Sequence, residues 1–273
     1  MKGVIVIPAA PTTEWARELF PGSSPAELPL AGRRAIDYVI EESAAKGFDI
    51  VEILDYAPSY ALEASFSDPS LLTISVFYVR GEGEVPNSLE DLRKVSSPLT
   101  QSLDTSEITL MWGLEIGGKK LDSIKAWHEA NFEILSKPNR YTLPSYSSKD
   151  GVNLGCNVAI ERGSRISPPA LVCDNAWLAR HVQLEGNVII GSGAFVGEGV
   201  KLKNTVVFPG TYVGDGLVLE DKIVAGSRII DPKSLAWTDV EDPGVARMIE
   251  GTKTNIFKSI WRFFAGRSHE GFK

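Results

Sequence analysis

Cysteine is nearly missing from this chain. Of 273 residues only Cys156 and Cys173 are thiols, and their spacing matches no metal-ligand pattern, so neither a disulfide framework nor a cysteine-based metal cluster is expected. Histidine is as scarce: His128, His181 and His269 are the whole set, which leaves few positions for imidazole acid–base chemistry. There is no basic excess either. Lys and Arg number 28 against 35 Asp and Glu, for a net charge of -7 and a pI near 5.2. A general nucleic-acid binder is thereby excluded, because phosphate neutralisation needs clustered cations, and small molecules or proteins are the expected partners. No apolar run approaches the ~20 residues that span a bilayer. The opening MKGVIVIPAAP carries no signal-peptide-like stretch, so the expected setting is a reducing cytoplasm.

What is present divides into two patterns. Val4-Ile5-Val6-Ile7, ended by Pro8, reads as a strand buried on both faces of a parallel sheet. From Arg34 to Lys46 the residues Ile36, Val39, Ile40 and Ala44 recur at helical spacing, and Gly47 supplies a stop. Further strands are expected at 50–54, 73–79 and 108–111, and a further helix from Leu121 to Asn131. Alternating strands and helices predict an α/β layered domain. The polar segment from Gly81 to Ser106 reads as a long surface excursion with one weak helical stretch, 89–95. Lys137 to Asp150 reads as a connection.

Beyond it the period changes. Val172, Leu178, Leu184, Ile190, Val196 and Leu202 stand six apart, slip by one to Val207, and resume at Val213 and Leu219 before Val224 and Ile230. Glycines and small residues fill the intervals. Such a period predicts a hexapeptide β-helix, in which every sixth side chain enters a narrow core; alternating hairpins have a period of two and do not account for it.

Leu28-Pro29-Leu30-Ala31-Gly32, the helix that follows it and the VVFPGTYVGDG stretch together resemble the sugar-1-phosphate nucleotidyltransferases. The resemblance covers nearly the whole chain. It implies an α/β fold: a shortened, Rossmann-type nucleotidyltransferase-like domain over 1–150, a left-handed β-helix over 151–233, and a C-terminal helical tail over 234–273. Catalytic members carry a Gly-rich loop after the first strand, where backbone N–H groups meet nucleotide phosphates. Here the loop reads Pro8-Ala9-Ala10-Pro11-Thr12-Thr13-Glu14, without glycine. The family's phosphate-contacting lysine falls on Pro25, and its metal-binding aspartate falls near Trp112-Gly113-Leu114, with no carboxylate until Glu115. Losing all three removes what phosphoryl transfer needs. The resemblance therefore implies an impaired nucleotidyltransferase-like protein, regulatory or scaffolding in nucleotide-sugar or surface-polysaccharide metabolism. Residual nucleotide or sugar-phosphate binding would lie at Ala9, Ala10, Thr12, Glu27 and Gly113, beyond the carboxyl ends of the strands. No metal or cofactor is expected. In the alternative, a divergent active enzyme, Glu115 would hold Mg²⁺ and Arg17 or Arg33 would meet the phosphate.

Left-handed β-helices also build acyltransferases, which typically use a histidine as base, and His181 in LARHVQLEG is the candidate here; its alternative is a solvent-facing rung residue. His128 reads as a helix-surface residue, and both cysteines as small core residues. Thr254 to Arg267 places Ile256, Phe257, Ile260, Trp261 and Phe264 on one helical side beside basic residues. Such a helix either lies on an anionic membrane or caps the β-helix or a partner subunit. Homo-oligomers are expected from a short β-helix with flat faces.

Overall fold

Parallel pairing follows from the alternation of apolar runs and helical patterns. The computed structural model describes residues 1–8, 15–16, 20, 24–56, 60–66, 74–83, 85 and 88–249. In it β1 (Gly3–Ile7), β2 (Ile50–Asp55), β3 (Ser75–Arg80) and β4 (Ile108–Trp112) form one sheet in the order β3-β2-β1-β4. Every pairing in it is parallel. β1 is flanked on both sides, and all five of its residues are buried, as expected for a central parallel strand. The helices α1 (Ala35–Ala45), α2 (Tyr60–Ser65), α3 (Leu89–Val95), α4 (Pro98–Gln101) and α5 (Ile124–Ser136) lie between or after the strands. The chain separates into two compact units, Met1–Ala130 and a second that begins at Asn131 within α5.

The excursion 81–106 lies at the surface, as expected, but is anchored to the sheet by the buried residues Leu92, Ser96, Ser97, Thr100 and Leu103. On one face of the sheet Ile5, Ile7, Ile50 and Leu54 pack with Leu92 and Leu103, while Leu89 and Leu99 join the edge of that cluster. Ser88 caps α3 by accepting the Asp91 amide, and Ser97 caps α4 by accepting that of Thr100. Between these leucines sits Glu52, fully buried. Its Oε2 accepts the Ser97 amide at 3.0 Å and the Ser97 hydroxyl at 2.7 Å, so a carboxylate in the middle of β2 fastens the turn between α3 and α4. A buried acceptor of this kind is costly unless paired, which couples the excursion to the sheet.

The second unit is a β-helix. Ala170 pairs in parallel with Val188, Gln183 with Lys201 and Trp177 with Phe195, each an offset of 18 residues, or three hexapeptides. The residues at the six-residue spacing point inward: Val172, Leu178, Leu184, Ile190, Val196, Leu202, Val207, Val213 and Val224 form one buried cluster. Between them Ala176, Val182, Val188, Ala194 and Val200 fill the second inward position of each hexapeptide. The one-residue slip has a physical location. Glu185 pairs with Lys203 at an offset of 18, and Val188 with Thr205 at 17, so Gly186 and Asn187 together face the single residue Asn204. The side-chain oxygen of Asn204 takes the Asn187 amide, which closes that corner.

Three columns of left-handed residues mark the corners of the coils. One holds Asn157, Asn175, Gly193 and Gly210; another holds Gly186, Asn204 and Asp221; the third holds Gly163, His181, Gly199 and Gly216. Asn, Asp and Gly are the residues that adopt this conformation most readily. Histidine is enriched there too, yet His181 is the one residue of these columns that is not Asn, Asp or Gly.

Residues 234–249 correct the expectation of a helical tail. Trp237–Asp239 and Ala246–Met248 are strands. The first pairs antiparallel with 228–230 and the second with 211–213. Antiparallel additions satisfy the edge that a β-helix otherwise leaves open, and Arg228 holds Asp239 through both oxygens at 2.7 and 3.2 Å. Residues 254–267, where the amphipathic helix is expected, lie outside the described residues. Among the described residues no helix is long and apolar enough to cross a membrane.

Candidate functional site

The expected nucleotide-binding positions are only partly described. Ala9, Ala10, Thr12 and Arg17 lie outside the described residues. Gly113 follows β4 with φ +78° and donates its amide to the Ile7 carbonyl at 2.9 Å, so it stands at the carboxyl ends of β1 and β4. That is where the sheet order turns: β2 lies on one side of β1 and β4 on the other. Ligands in open parallel sheets sit at such a switch point. Glu27 ends a short 3₁₀ turn, Pro25–Glu27, whose first amides are capped by Ser24. Arg33 is engaged by Glu41 at 2.5 Å and lies 4.7 Å above the Tyr38 ring. Glu115 belongs to a two-residue hairpin strand and faces Lys120 in register. Among the described residues no group of His, Cys, Asp or Glu is arranged to hold a metal ion.

A carboxylate that the sequence reading passed over occupies the same edge of the sheet. Asp55, the last residue of β2, is fully buried. Its Oδ2 accepts the Ser24 hydroxyl at 3.2 Å and the Tyr78 hydroxyl at 3.1 Å, which ties β2, β3 and the turn before Leu28 together.

The second site lies on the β-helix. Ile160, Glu161, Arg162, Gly163, Arg180 and His181 line an open recess of about 650 Å³ at the corner of the first two coils. Because the coil repeat is 18, Arg162 and Gly163 of one coil stand beside Arg180 and His181 of the next. His181 is held at φ +59° and exposed. Its imidazole occupies the space over Gly163: a Cβ built there would meet Nδ1 at 2.4 Å and Cε1 at 2.7 Å. Ser164 secures the corner by accepting the Val182 amide at 3.1 Å and donating to the Ala179 carbonyl at 2.7 Å. The corner's own bond, from the His181 amide to the Arg162 carbonyl, is 3.4 Å, while the equivalents at Gly199 and Gly216 are 2.9 and 2.8 Å. Glu161 is held from two sides. Its Oε1 accepts the Trp177 indole N–H at 3.1 Å, and its Oε2 lies 3.4 Å from Arg180 Nε.

Two further expectations change. His128 is buried in α5 rather than on a helix surface, next to the buried Trp127. Cys156 is exposed and Cys173 buried. Burial, with the Asp174 carboxylate adding to it, pushes the Cys173 thiol up to about 12, which makes it a core residue and no nucleophile. Cys156 stands next to the corner residue Asn157, where side chains leave the core. The neighbours of His181 (Glu161, Arg162, Gly163, Arg180) went unremarked in the linear sequence; superposing it on itself at an offset of 18 would have aligned them.

No family model matches the chain, and no curated protein sequence matches it significantly. Among solved structures it is similar to the acetyltransferase domain of PglB from Neisseria gonorrhoeae FA1090, at 12% identity over 83% of this chain and 97% of that one, with a TM-score of 0.21. The same domain in complex with acetyl coenzyme A gives 13% identity, 82% and 96% coverage, and again 0.21.

Proposed function

We propose that the β-helix carries an acyltransferase site, with His181 as general base toward an amine or hydroxyl acceptor. The observation that carries this reading is His181 itself: an exposed imidazole standing in a left-handed column otherwise made of glycine, fitted over Gly163, in a recess flanked by two arginines. In the reaction the imidazole takes the acceptor's proton as its nitrogen or oxygen attacks the carbonyl of an acyl thioester. The tetrahedral adduct collapses with loss of the thiolate, and the imidazolium returns the proton to the departing sulfur. Atoms balance as acylated acceptor and free thiol. The test is thiol release from acetyl-CoA with a panel of amines and amino or hydroxy sugars. His181→Ala should lower the rate by about 10²–10⁴-fold, the usual contribution of a positioned base. A variant as fast as wild type removes the reading.

A second reading concerns the first unit, and the end of β4 favours it. There Trp112 and Gly113 stand where the resembled enzymes place a metal-binding carboxylate, and Glu115 is drawn into a hairpin opposite Lys120. The unit would then be a nucleotidyltransferase-like domain that binds a nucleotide or sugar phosphate without turning it over. Pyrophosphate release from nucleoside triphosphates and sugar 1-phosphates with Mg²⁺ tests this. Clear turnover refutes it and directs substitution to Glu115, Arg17 and Arg33.

A further inference from the structure

One outer face of the β-helix carries aromatic rings where a solvated wall would carry polar groups. Side chains alternate across a strand, and Leu178, Val196 and Val213 belong to the core, so their neighbours Trp177, Phe195 and Tyr212 point outward on three successive coils. These rings form a ridge. Trp177 and Phe195 lie 6.0 Å apart between centroids, and Phe195 and Tyr212 are stacked at 5.4 Å. On the face that pairs Gln183 with Lys201 the equivalent outward residues are Gln183, Glu185, Lys201 and Lys203. Beside the ridge the next outward positions are small, Ala179 and Gly197, which leaves a shallow groove along the coils. Although they face outward, Phe195 and Tyr212 are each 4% exposed and Ala179 is 7% exposed.

Ile249 supplies part of the cover. It packs with Ala179, Phe195 and Tyr212, with its amide bonded to the Gly210 carbonyl at 2.7 Å, and the Arg247 guanidinium lies 5.0 Å above the Tyr212 ring. Ile249 is also the last residue described, so the chain passes into 250–273 from a position on the ridge. A second outward apolar column, Leu171, Ile189 and Val206, lies on the third face; the position of Ile249 decides between the two. At 3.6 residues per turn, Ile256, Phe257, Ile260, Trp261 and Phe264 share one side of a helix, and Lys258 and Arg262 fall on the other. A helix over 254–267 has a length of about 21 Å at ~1.5 Å per residue, while the two coil steps from Tyr212 to Trp177 need about 10 Å at ~4.8 Å each. We propose that residues 254–267 dock along this ridge of their own chain, with their apolar side on Trp177, Phe195 and Tyr212 and with Lys258 and Arg262 toward solvent. The ridge ends at Trp177, whose indole N–H holds Glu161 in the recess at His181, so the docked segment flanks that recess whatever reaction it performs.

Two experiments on the full 273-residue chain test this. In the first, Ala179→Cys places a thiol beside the ridge in a Cys156→Ser background, and its reaction with a thiol reagent is timed. That thiol should be protected. Phe257→Asp or Trp261→Asp should speed its reaction at least about tenfold by opening the cover, while Lys258→Glu, on the other side of the helix, should leave the rate unchanged; urea midpoints show that each variant keeps its fold. In the second, benzoylphenylalanine replaces Trp261, and irradiation should join it to the peptides that carry Trp177, Phe195 or Tyr212 within one chain. Protection that survives both aspartate substitutions makes Ile249 the whole cover and overturns the proposal. Cross-links between light and heavy isotope-labelled chains overturn it in favour of a second copy. A reactive thiol at position 179 with the segment unaltered, in a chain that sediments with phosphatidylglycerol vesicles, overturns it in favour of a membrane surface. Where the aspartate variants do not fold the cross-link decides, and attachment elsewhere, or none, overturns the proposal.

Discussion

Replacing His181 by glycine should make the β-helix more stable and the site inactive. The corner column in which it stands reads Gly163, His181, Gly199, Gly216, all at positive φ, so the fold accepts glycine at this place on every neighbouring coil. A side chain held in the left-handed region costs about 1–2 kcal/mol. Against this, glycine gives the unfolded chain more freedom, worth about 0.5–1 kcal/mol. The imidazole is exposed and its removal uncovers little, while the amide that bonds the Arg162 carbonyl is kept. The net gain is then roughly 0.5–1 kcal/mol, or an unfolding midpoint higher by about 1–4 °C. His181→Ala is the control, since alanine loses the base but keeps the strained φ; it should match wild type in stability and match glycine in lost turnover. Thermal and urea unfolding of the three proteins, beside thiol release from acetyl-CoA, provides the assay. A glycine variant no more stable than the alanine variant would refute the reasoning about the corner. A stabilised glycine variant with full turnover would show that the corner tolerates histidine for no catalytic reason.

Three other outcomes follow from the packing. In native protein only Cys156 should react with a thiol reagent near neutral pH, and Cys173 should appear on unfolding, because it is buried and its thiol is pushed up to about 12; two thiols reacting together would contradict the buried placement. Asp231 is held below the usual carboxylate range by Lys222, and then by the amides of Ser234 and Lys233. A depressed folded value contributes stability above the unfolded pKa and loses it as pH falls toward the folded one. Asp231→Asn should therefore cost up to about 1 kcal/mol at neutral pH, the scale of a solvent-screened pair, and progressively less below about pH 4; urea midpoints that differ equally at pH 7 and pH 2 would contradict this. Gly191→Ala should destabilise by about 1–3 kcal/mol or more, because its Cβ would stand 2.4 Å from the Pro209 backbone nitrogen and 2.6 Å from the Phe208 carbonyl carbon, neither of which can turn away. Unchanged urea unfolding of that variant would show that the coils separate more easily than their ladder implies.

The β-helix was legible because one stereochemical demand repeats at every coil. Val172 through Ile230 carry it in plain order, and even the slip between Leu202 and Val207 is a physical event, the corner where Asn204 alone answers Gly186 and Asn187. The α/β unit was legible for its strands, whose apolar runs are continuous, and less so for the excursion, whose leucines are split among two short helices (Leu89 and Leu92, then Leu99) and the bend after them (Leu103) and show no period. Glu52 was invisible for a related reason: in Ile50-Val51-Glu52-Ile53-Leu54 a lone carboxylate reads as an interruption until its partner Ser97, 45 residues away, is in place. The site on the β-helix was hidden by distance along the chain and not by weakness of signal. His181 and Gly163 are far apart in sequence but adjacent in the stack, and only the coil repeat shows that a histidine has entered a glycine column. Structural reasons do not select that residue, since glycine serves the same turn on the coils before and after it at no cost in strain. The charged side chains that share its recess are Glu161 and the two arginines of the preceding corner position, while the later coils carry Glu198 and Asp215 at that position. Strain and positive charge thus fall on the same coils, a coincidence that the proposed acyl-transfer site would account for.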